Sequence, residues 1–495
     1  MMLVYVERNE LYYDLENLIA IFVKKSQLSF LTDEARFKTA VDSGEDCLRL
    51  HQTPNAFDAT LFQKGERVDG LTMVLNALDG LAPKVKRDIK KQLYQLLEAH
   101  YAPMSKWGIL VGIRPVKIVH ELLDQGFSPA YIRAQLSEDY LIQDEKVELM
   151  MAIAARERPH LFPVDPDRLS LYICIPFCPT RCLYCSFPSN DVRKKGGLMA
   201  PYVAKLIEEV KATAAAVVNS GKAVDCIYIG GGTPTSLSAA HLTQLLEAIA
   251  ENFDLTKVAE FTVEAGRPDT VDLEKLSVMK QFGVDRICVN PQTMNDSTLV
   301  KIGRAHNAAA IGEMMQMVRQ VGFKVVNMDL IMGLPDETTE DSIETVKAVL
   351  AMAPENVTLH TLAVKRASRL NEHLEAVELA HDDTVAAMMA TADDMLRETG
   401  LTPYYMYRQK KMIGHLENVG YAAEGCESLY NMRIMEERHT IIALGAGAVS
   451  KICHPAENRF ERVANFKGVE DYLNRFEEVL ARKASAFSEL TIKNK

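Results

Sequence analysis

Between residues 169 and 364 the chain alternates short β-rich runs with helical patterns, and this alternation restricts the fold more than any other feature. Six runs stand out: LSLYICIPF, AVDCIYIG, EFTVEA, RICVN, FKVVNMDLIMG and NVTLHTLA. Between them lie segments such as YVAKLIEEVKATAAAVV, in which Val203, Leu206, Ile207 and Val210 recur at helical spacing. Strands that alternate with helices predict a parallel sheet. Nearly every run is apolar on both faces, which calls for helices outside and packed or ligand-filled space inside. The expected class is α/β, as a partial or complete βα barrel, with an open doubly wound sheet as the alternative.

The flanks read differently. Residues 1–165 form a mixed α/β pattern that opens with the strand-like MLVYVER, and RPHLFPVDPDRLS reads as their exit, because Pro159, Pro163 and Pro166 interrupt a helix or a central strand. After the alternating block, DDTVAAMMATADDMLRETG predicts a helix. The β-like stretches PYYMYRQK, TIIALGAGAVSK and NRFERVAN follow, and GVEDYLNRFEEVLARK closes the chain as a helix. Three domains are expected, 1–165, 166–370 and 371–495, in keeping with a length of 495 residues, too long for one ordinary core.

Charge and hydropathy exclude several function classes. A net charge of -11 argues against a general nucleic-acid binder, and the basic stretch KVKRDIKKQLYQ from Lys84 reads as a solvated helix face. No segment approaches the roughly 18 apolar residues of a membrane helix. The first residues are broken by Glu7, Arg8, Glu10, Asp14 and Glu16, unlike a signal peptide, so a cytoplasmic protein is expected. Of the nine cysteines, Cys47, Cys226, Cys288, Cys426 and Cys453 are scattered, which suits a reducing compartment and not a disulfide framework.

The remaining four cluster in YICIPFCPTRCLYCSF. Cys178, Cys182 and Cys185 have C-x3-C-x2-C spacing just past the first strand, where a short loop brings three thiolates to one metal centre. Strand ends at the C-terminal rim of a βα barrel gather catalytic groups, whereas structural zinc wants four closed ligands. Cys174 lies about 13 Å back along an extended strand, at roughly 3.3 Å per residue, too far to share the centre. It is expected to pack as a small apolar residue or to line the space below. Three protein ligands leave one iron of a cluster open to a small molecule.

This segment resembles the signature of the radical S-adenosylmethionine (SAM) enzymes and, more specifically, the Tyr-x-His-Ile-Pro-Phe-Cys segment of the oxygen-independent coproporphyrinogen III oxidases. RICVNPQTM and ENVGYA resemble the Z-type branch of that family, and the likeness runs from residue 169 to about 480. The resemblance implies a partial (β/α)6 barrel with an N-terminal α/β domain and a C-terminal α+β extension. It also implies a [4Fe-4S] cluster on Cys178, Cys182 and Cys185, and SAM bound beside it. Gly231, Gly232 and Thr233 of IGGGTPT would hold the amino group and carboxylate of SAM. Glu264 and Arg304 would serve the ends of the methionine moiety, Gln292 and Asp329 the polar groups of the nucleoside, and Tyr172, Tyr184 and Ile331 would line the site. An ammonium, a carboxylate and a ribose diol do require such opposed charges and hydrogen bonds.

Three departures bear on the substrate. Phe187 stands where the porphyrinogen-decarboxylating members carry a further cysteine, as it does in the haem-chaperone branch, and Cys174 replaces the family's His. The His-Asn-x-x-Tyr-Trp motif of the chaperones appears as Glu417, Asn418, Val419, Gly420, Tyr421 and Ala422. The expected activity is oxidative decarboxylation of coproporphyrinogen III propionates to vinyl groups through a 5'-deoxyadenosyl radical, with a tetrapyrrole substrate and a one-electron donor protein. Arg408, Lys410 and Lys411 would meet the propionates. The alternatives are a haem-binding trafficking protein on the same scaffold and a radical SAM methyltransferase.

Overall fold

The computed structural model describes residues 1–6, 11–76, 82–187, 189–373, 377–457 and 459–492. They form two compact units, Met1–Ala152 and Ile153–Lys495. In the first, β1 (Met2–Val6) runs parallel to β2 (Leu28–Leu31) on one side and to β3 (Asp46–Thr53) on the other. From β3 an antiparallel meander continues through β4 (Ala56–Gln63) and β5 (Glu66–Val74). Alternate residues of β1 serve opposite faces, as a period of two dictates. Met2, Val4 and Val6 pack with Ile89, Leu93 and Leu97 of the helix Pro83–Glu98, while Leu3 and Tyr5 pack with Phe37 and Ala40 of the helix Glu34–Asp42. The helix Asp144–Leu161 runs through Pro159, where a break was expected. That proline falls in the last turn, so the lost N–H weakens only the helix end.

The second unit is built on the six expected strands. From β6 (Arg168–Ile175) the chain passes through the small parallel pair β7 (Phe177–Cys178) and β8 (Asn190–Asp191). Next come β9 (Ala223–Gly231), β10 (Glu260–Glu264), β11 (Arg286–Cys288), β12 (Val325–Met332) and β13 (Asn356–Thr361). β6 and β9 to β13 are parallel and adjacent in chain order, a partial (β/α)6 barrel. The intervening helices carry clear local signals. Thr338 and Asp341 form a capping box at the start of Thr339–Ala351, and Gly322, at φ +80°, ends Ala308–Val321 in the left-handed region. Val203, Leu206 and Val210 are the buried stripe of Met199–Asn219.

The C-terminal segment extends both edges of this sheet. β14 (Thr402–Tyr407) pairs with β15 (Asn418–Ala422), which lies antiparallel on β13. At the other edge β16 (Ile441–Leu444) lies parallel to β6, followed by the antiparallel β17 (Val449–His454) and β18 (Arg459–Ala464).

Two buried polar networks fasten this extension. At the start of β10, Glu260 accepts from Ser428 Oγ (3.1 Å), Leu429 N (2.8 Å) and Tyr430 N (3.1 Å) and pairs with Arg286 at 3.3 Å. Arg286 Nη2 donates to the carbonyls of Cys426 and Glu427, so the helix Leu429–Glu436 is fixed across the N-terminal ends of the strands. Beyond β16, Glu209 accepts from Gly445 N (2.8 Å), Tyr472 OH (2.7 Å) and Asn465 Nδ2 (2.8 Å) and pairs with Lys483. Tyr202 OH donates to the carbonyl of Cys174 at 2.7 Å and accepts from Ala446 N, which ties the glycine-rich loop after β16 to the end of β6. Among the described residues no helix is long and apolar enough to cross a membrane.

Candidate functional site

A cavity of about 640 Å³ is lined by the inward residues of all six barrel strands. Strand alternation selects them: Tyr172 and Cys174 of β6, Tyr228 of β9, Glu264 of β10, Cys288 of β11, Asn327, Asp329 and Ile331 of β12, and Thr358 and His360 of β13. Cys178, Cys182, Cys185 and Tyr184, from the loop after β6, line the same cavity, as do Gly231, Gly232, Thr233, Gln292 and Arg304. Every residue named above as a candidate for cluster or SAM binding therefore reaches one space.

The cysteine loop is held from outside. Leu183 N donates to Ile302 O (2.9 Å), Thr180 Oγ1 to Gly303 O (2.9 Å), and Leu370 N to Leu183 O (2.8 Å). Thr233 Oγ1 approaches Cys178 Sγ at 3.5 Å, and the buried guanidinium of Arg267 comes to 4.0 Å from Cys182 Sγ while pairing with Asp269 at 3.0 Å. Cys174 stays on β6, packed against Ala443 and Ala448. Burial pushes its thiol up to about 12, so it is a neutral wall of the cavity.

The glycine-rich turn owes its composition to the protein's own backbone. A Cβ on Gly232 would stand 2.7 Å from the carbonyl oxygen of Phe177 and 2.9 Å from Cys178 Sγ, and one on Gly231, at φ +110°, 2.7 Å from Cys174 Sγ. Glycine lets the turn lie directly on β6 and β7. In doing so its N–H groups are used: Gly232 donates to Ile175 O (2.9 Å) and Thr233 to Phe177 O (2.8 Å), while Gly231 N–H serves the Glu264 carboxylate. What remains for a ligand are carbonyls and the Thr233 hydroxyl, which suits an ammonium better than a carboxylate.

Glu264 accepts from Tyr228 OH at 2.6 Å. Burial pushes its carboxyl up to about 7; the Tyr228 bond pulls it down, the charge of Asp329 pushes it up again, and Gly231 N–H pulls it down. Burial pushes the Asp329 carboxyl up too, but hydrogen bonds and charge from His360, with Asn327 and Thr358, more than offset that and hold it below the usual value. Asn327 Nδ2 donates to Asp329 at 2.8 Å, and His360 Nε2 lies 3.8 Å from it. Gln292 sits at φ +69° and bridges to β12, donating its N–H to Asp329 O and accepting from Ile331 N, both at 2.9 Å. A non-glycine residue in that region is strained, as is common where a side chain is aimed at a ligand. Arg304 is clamped by the carbonyls of Gly266 (2.9 Å) and Asn290 (2.8 Å) and by Tyr184 OH (3.2 Å).

The expected substrate cations are elsewhere. Arg408, Lys410, Lys411 and Glu417 do not line the cavity. Arg408 is buried with its Nη2 on the carbonyl of His415 at 3.0 Å; burial pushes its guanidinium down to about 10, against the charge of Glu417. The Glu417 carbonyl accepts from Thr361 Oγ1. The cavity also collects residues that the sequence did not single out. Tyr228 and Tyr430 stack with each other and with Tyr172, with centroids 4.4 to 6.1 Å apart and rings within 25° of parallel. Arg267 stands three residues after Glu264, in a loop whose place after a barrel strand was itself a usable signal.

The lining fits an iron-sulfur cluster with SAM. Three thiols stand beside a buried cation, Glu264 and the carbonyls of the glycine-rich turn offer acceptors to an ammonium, and among the described residues Arg304 Nε and Asn290 Oδ1 are buried without a hydrogen-bond partner. Comparison with known proteins agrees. Residues 172–349 match the Radical SAM superfamily. The chain is 41% identical over 404 residues to the oxygen-independent coproporphyrinogen-III oxidase-like protein HemZ of Bacillus subtilis, covering 81% of this chain and 80% of that one. It is 31% identical over 325 residues to the heme chaperone HemW of Lactococcus lactis, covering 65% and 80%. The solved coproporphyrinogen III oxidase HemN of Escherichia coli, described as a radical SAM enzyme, superposes with a TM-score of 0.51 over 64% of this chain and 71% of that one; at 21% identity the likeness is one of fold.

Proposed function

The chain belongs to the radical SAM proteins of the oxygen-independent coproporphyrinogen III oxidase-like family, and from that membership we propose that it oxidatively decarboxylates propionate side chains of a porphyrinogen to vinyl groups. Its cofactors are a [4Fe-4S] cluster and SAM, which supply one-electron cleavage of a sulfonium and so the power to remove an unactivated hydrogen atom. Cys178, Cys182 and Cys185 would hold the cluster. Glu264 and the carbonyls of the Gly231–Thr233 turn would take the SAM ammonium, and the fixed guanidinium of Arg304 its carboxylate. Gln292 and Asp329 would take the nucleoside hydroxyls, between Tyr172, Tyr184 and Ile331. At the side chain the net change is loss of one hydrogen atom, one carbon dioxide and one further electron, leaving a carbon–carbon double bond.

The observation that carries this reading is that one cavity joins the three cysteines to three mutually stacked tyrosines, apolar ring surface of a kind that suits a macrocycle. The test is anaerobic, reconstituted protein given SAM, a one-electron reductant and coproporphyrinogen III. We expect 5'-deoxyadenosine and a vinyl-bearing product in step. A haem-trafficking role is the second reading, favoured by Phe187 in place of the further cysteine. SAM cleavage without decarboxylated product, together with tight stoichiometric haem binding, would establish it instead.

The Glu264 carboxyl gives the SAM step a pH dependence. With its value raised to about 7, it is neutral below that pH, whereas an ammonium needs the carboxylate. Binding must then release a proton. SAM affinity is expected to fall by about tenfold per unit below pH 7 and to level off above it. Calorimetry across that range checks this, and a flat profile in Glu264→Gln with a steep one in the unaltered protein assigns the group.

A further inference from the structure

Of the six lysines and arginines that line the cavity, three are paired, Arg286 with Glu260, Lys451 with Glu437 and Arg267 with Asp269, and Arg304, clamped by carbonyls, is the one assigned above to SAM. Two remain. Arg181, in the cysteine loop, and Lys365, after β13, both line the cavity, as does Phe187, which is 59% exposed and marks the opening to solvent. One turn organises both. The Lys365 carbonyl accepts from Ser368 N (2.9 Å) and Ser368 Oγ (2.7 Å), and within that turn the carbonyl of Ala367 receives Arg181 Nη2. The Lys365 ammonium stands 5.7 Å from the centroid of the Phe187 ring, a cation–π distance. Among the described residues neither cation has a carboxylate partner, and Arg181 Nε is buried with no hydrogen-bond partner at all.

A guanidinium held by one edge, with its Nε turned to no acceptor, costs free energy that a carboxylate would recover, and a second cation from the same turn doubles the charge it would meet. We propose that Arg181 and Lys365 together receive a carboxylate of the substrate, with the Phe187 ring as the apolar face of the same subsite. This rests on the carboxylate-edged macrocycle proposed above and gives it the anchor that Arg408, Lys410 and Lys411 do not provide. Cys185 lies close enough to Lys365 for their charges to interact, so the test separates a role toward the substrate from one toward the cluster.

Coproporphyrin III, the stable oxidised macrocycle, serves as probe, titrated into cluster-loaded protein by fluorescence quenching. Arg181→Gln with Lys365→Gln is expected to weaken binding by about thirtyfold or more and to abolish the preference for the tetracarboxylate over its tetramethyl ester, with iron content and SAM affinity unchanged. Should the double variant lose iron, Lys365→Gln alone carries the test, since that side chain supports no backbone group, and about fivefold weaker binding is expected. Equal affinity in variant and unaltered protein overturns the subsite and leaves the proposed function standing. No binding of coproporphyrin III by the unaltered protein overturns both. Unchanged porphyrin affinity with slower reduction by an acidic flavoprotein would make the pair a docking point for the electron donor, and the proposal would again be overturned.

Discussion

Alanine at Cys178, Cys182 or Cys185 is expected to abolish SAM cleavage and to strip most of the iron, whereas Cys174→Ala keeps both. The three lie in one loop that lines the cavity, held by bonds to Ile302, Gly303 and Leu370, so each substitution removes a thiol and leaves the loop's anchors intact. Cys174 is a buried, neutral member of β6 packed on Ala443 and Ala448. Its removal opens a small void at a cost of about 1 kcal/mol. Iron content and the visible absorbance of anaerobically reconstituted protein separate the two classes, and loss of the cluster in Cys174→Ala would defeat the assignment.

Glu209→Met is expected to destabilise the second unit by about 3–5 kcal/mol, the usual cost of removing one partner of a buried ion pair. The Lys483 ammonium would be left with only Asn465 Oδ1 at 3.4 Å, and Gly445 N–H and Tyr472 OH would lose their acceptor. Lys483→Met should cost less, because the Glu209 carboxylate keeps three neutral donors. The order of the two denaturant midpoints is the measurement, and the reverse order would show that Lys483 is the organising charge. Because Gly447 and Ala448 line the cavity just beyond Gly445, the Glu209 variant should also lose SAM affinity.

What the sequence disclosed follows from periodicity and short spacing. The six strands showed as apolar runs separated by helical stripes, and the cysteine triad as a pattern within eight residues. What it concealed is held by single side chains reaching far along the chain. Glu260 caps a helix start 170 residues later at Tyr430, and Arg286 meets a carbonyl 140 residues away at Cys426. Such contacts leave no local trace. Arg408 misled for a related reason: beside aromatics it read as a partner for substrate propionates, but Pro403 to Met406 of β14 are all buried and the arginine is buried after them, on the carbonyl of His415. Arg181 and Lys365 come together only because the loop after β6 meets the turn after β13.

The parallel pairing of β16 with β6, Ile441 opposite Ser170, sets an order on the birth of the molecule. The strand that carries Cys174 has β9 on one side from early in synthesis, but its other edge is bare until Ile441–Leu444, more than 260 residues later, leaves the ribosome. An apolar edge left open invites pairing with another chain. A polypeptide stopped short of Ile441 would hold every candidate cluster and SAM residue and still lack one wall of the cavity, so a truncation made to isolate the six-stranded barrel should aggregate before it can be loaded with iron.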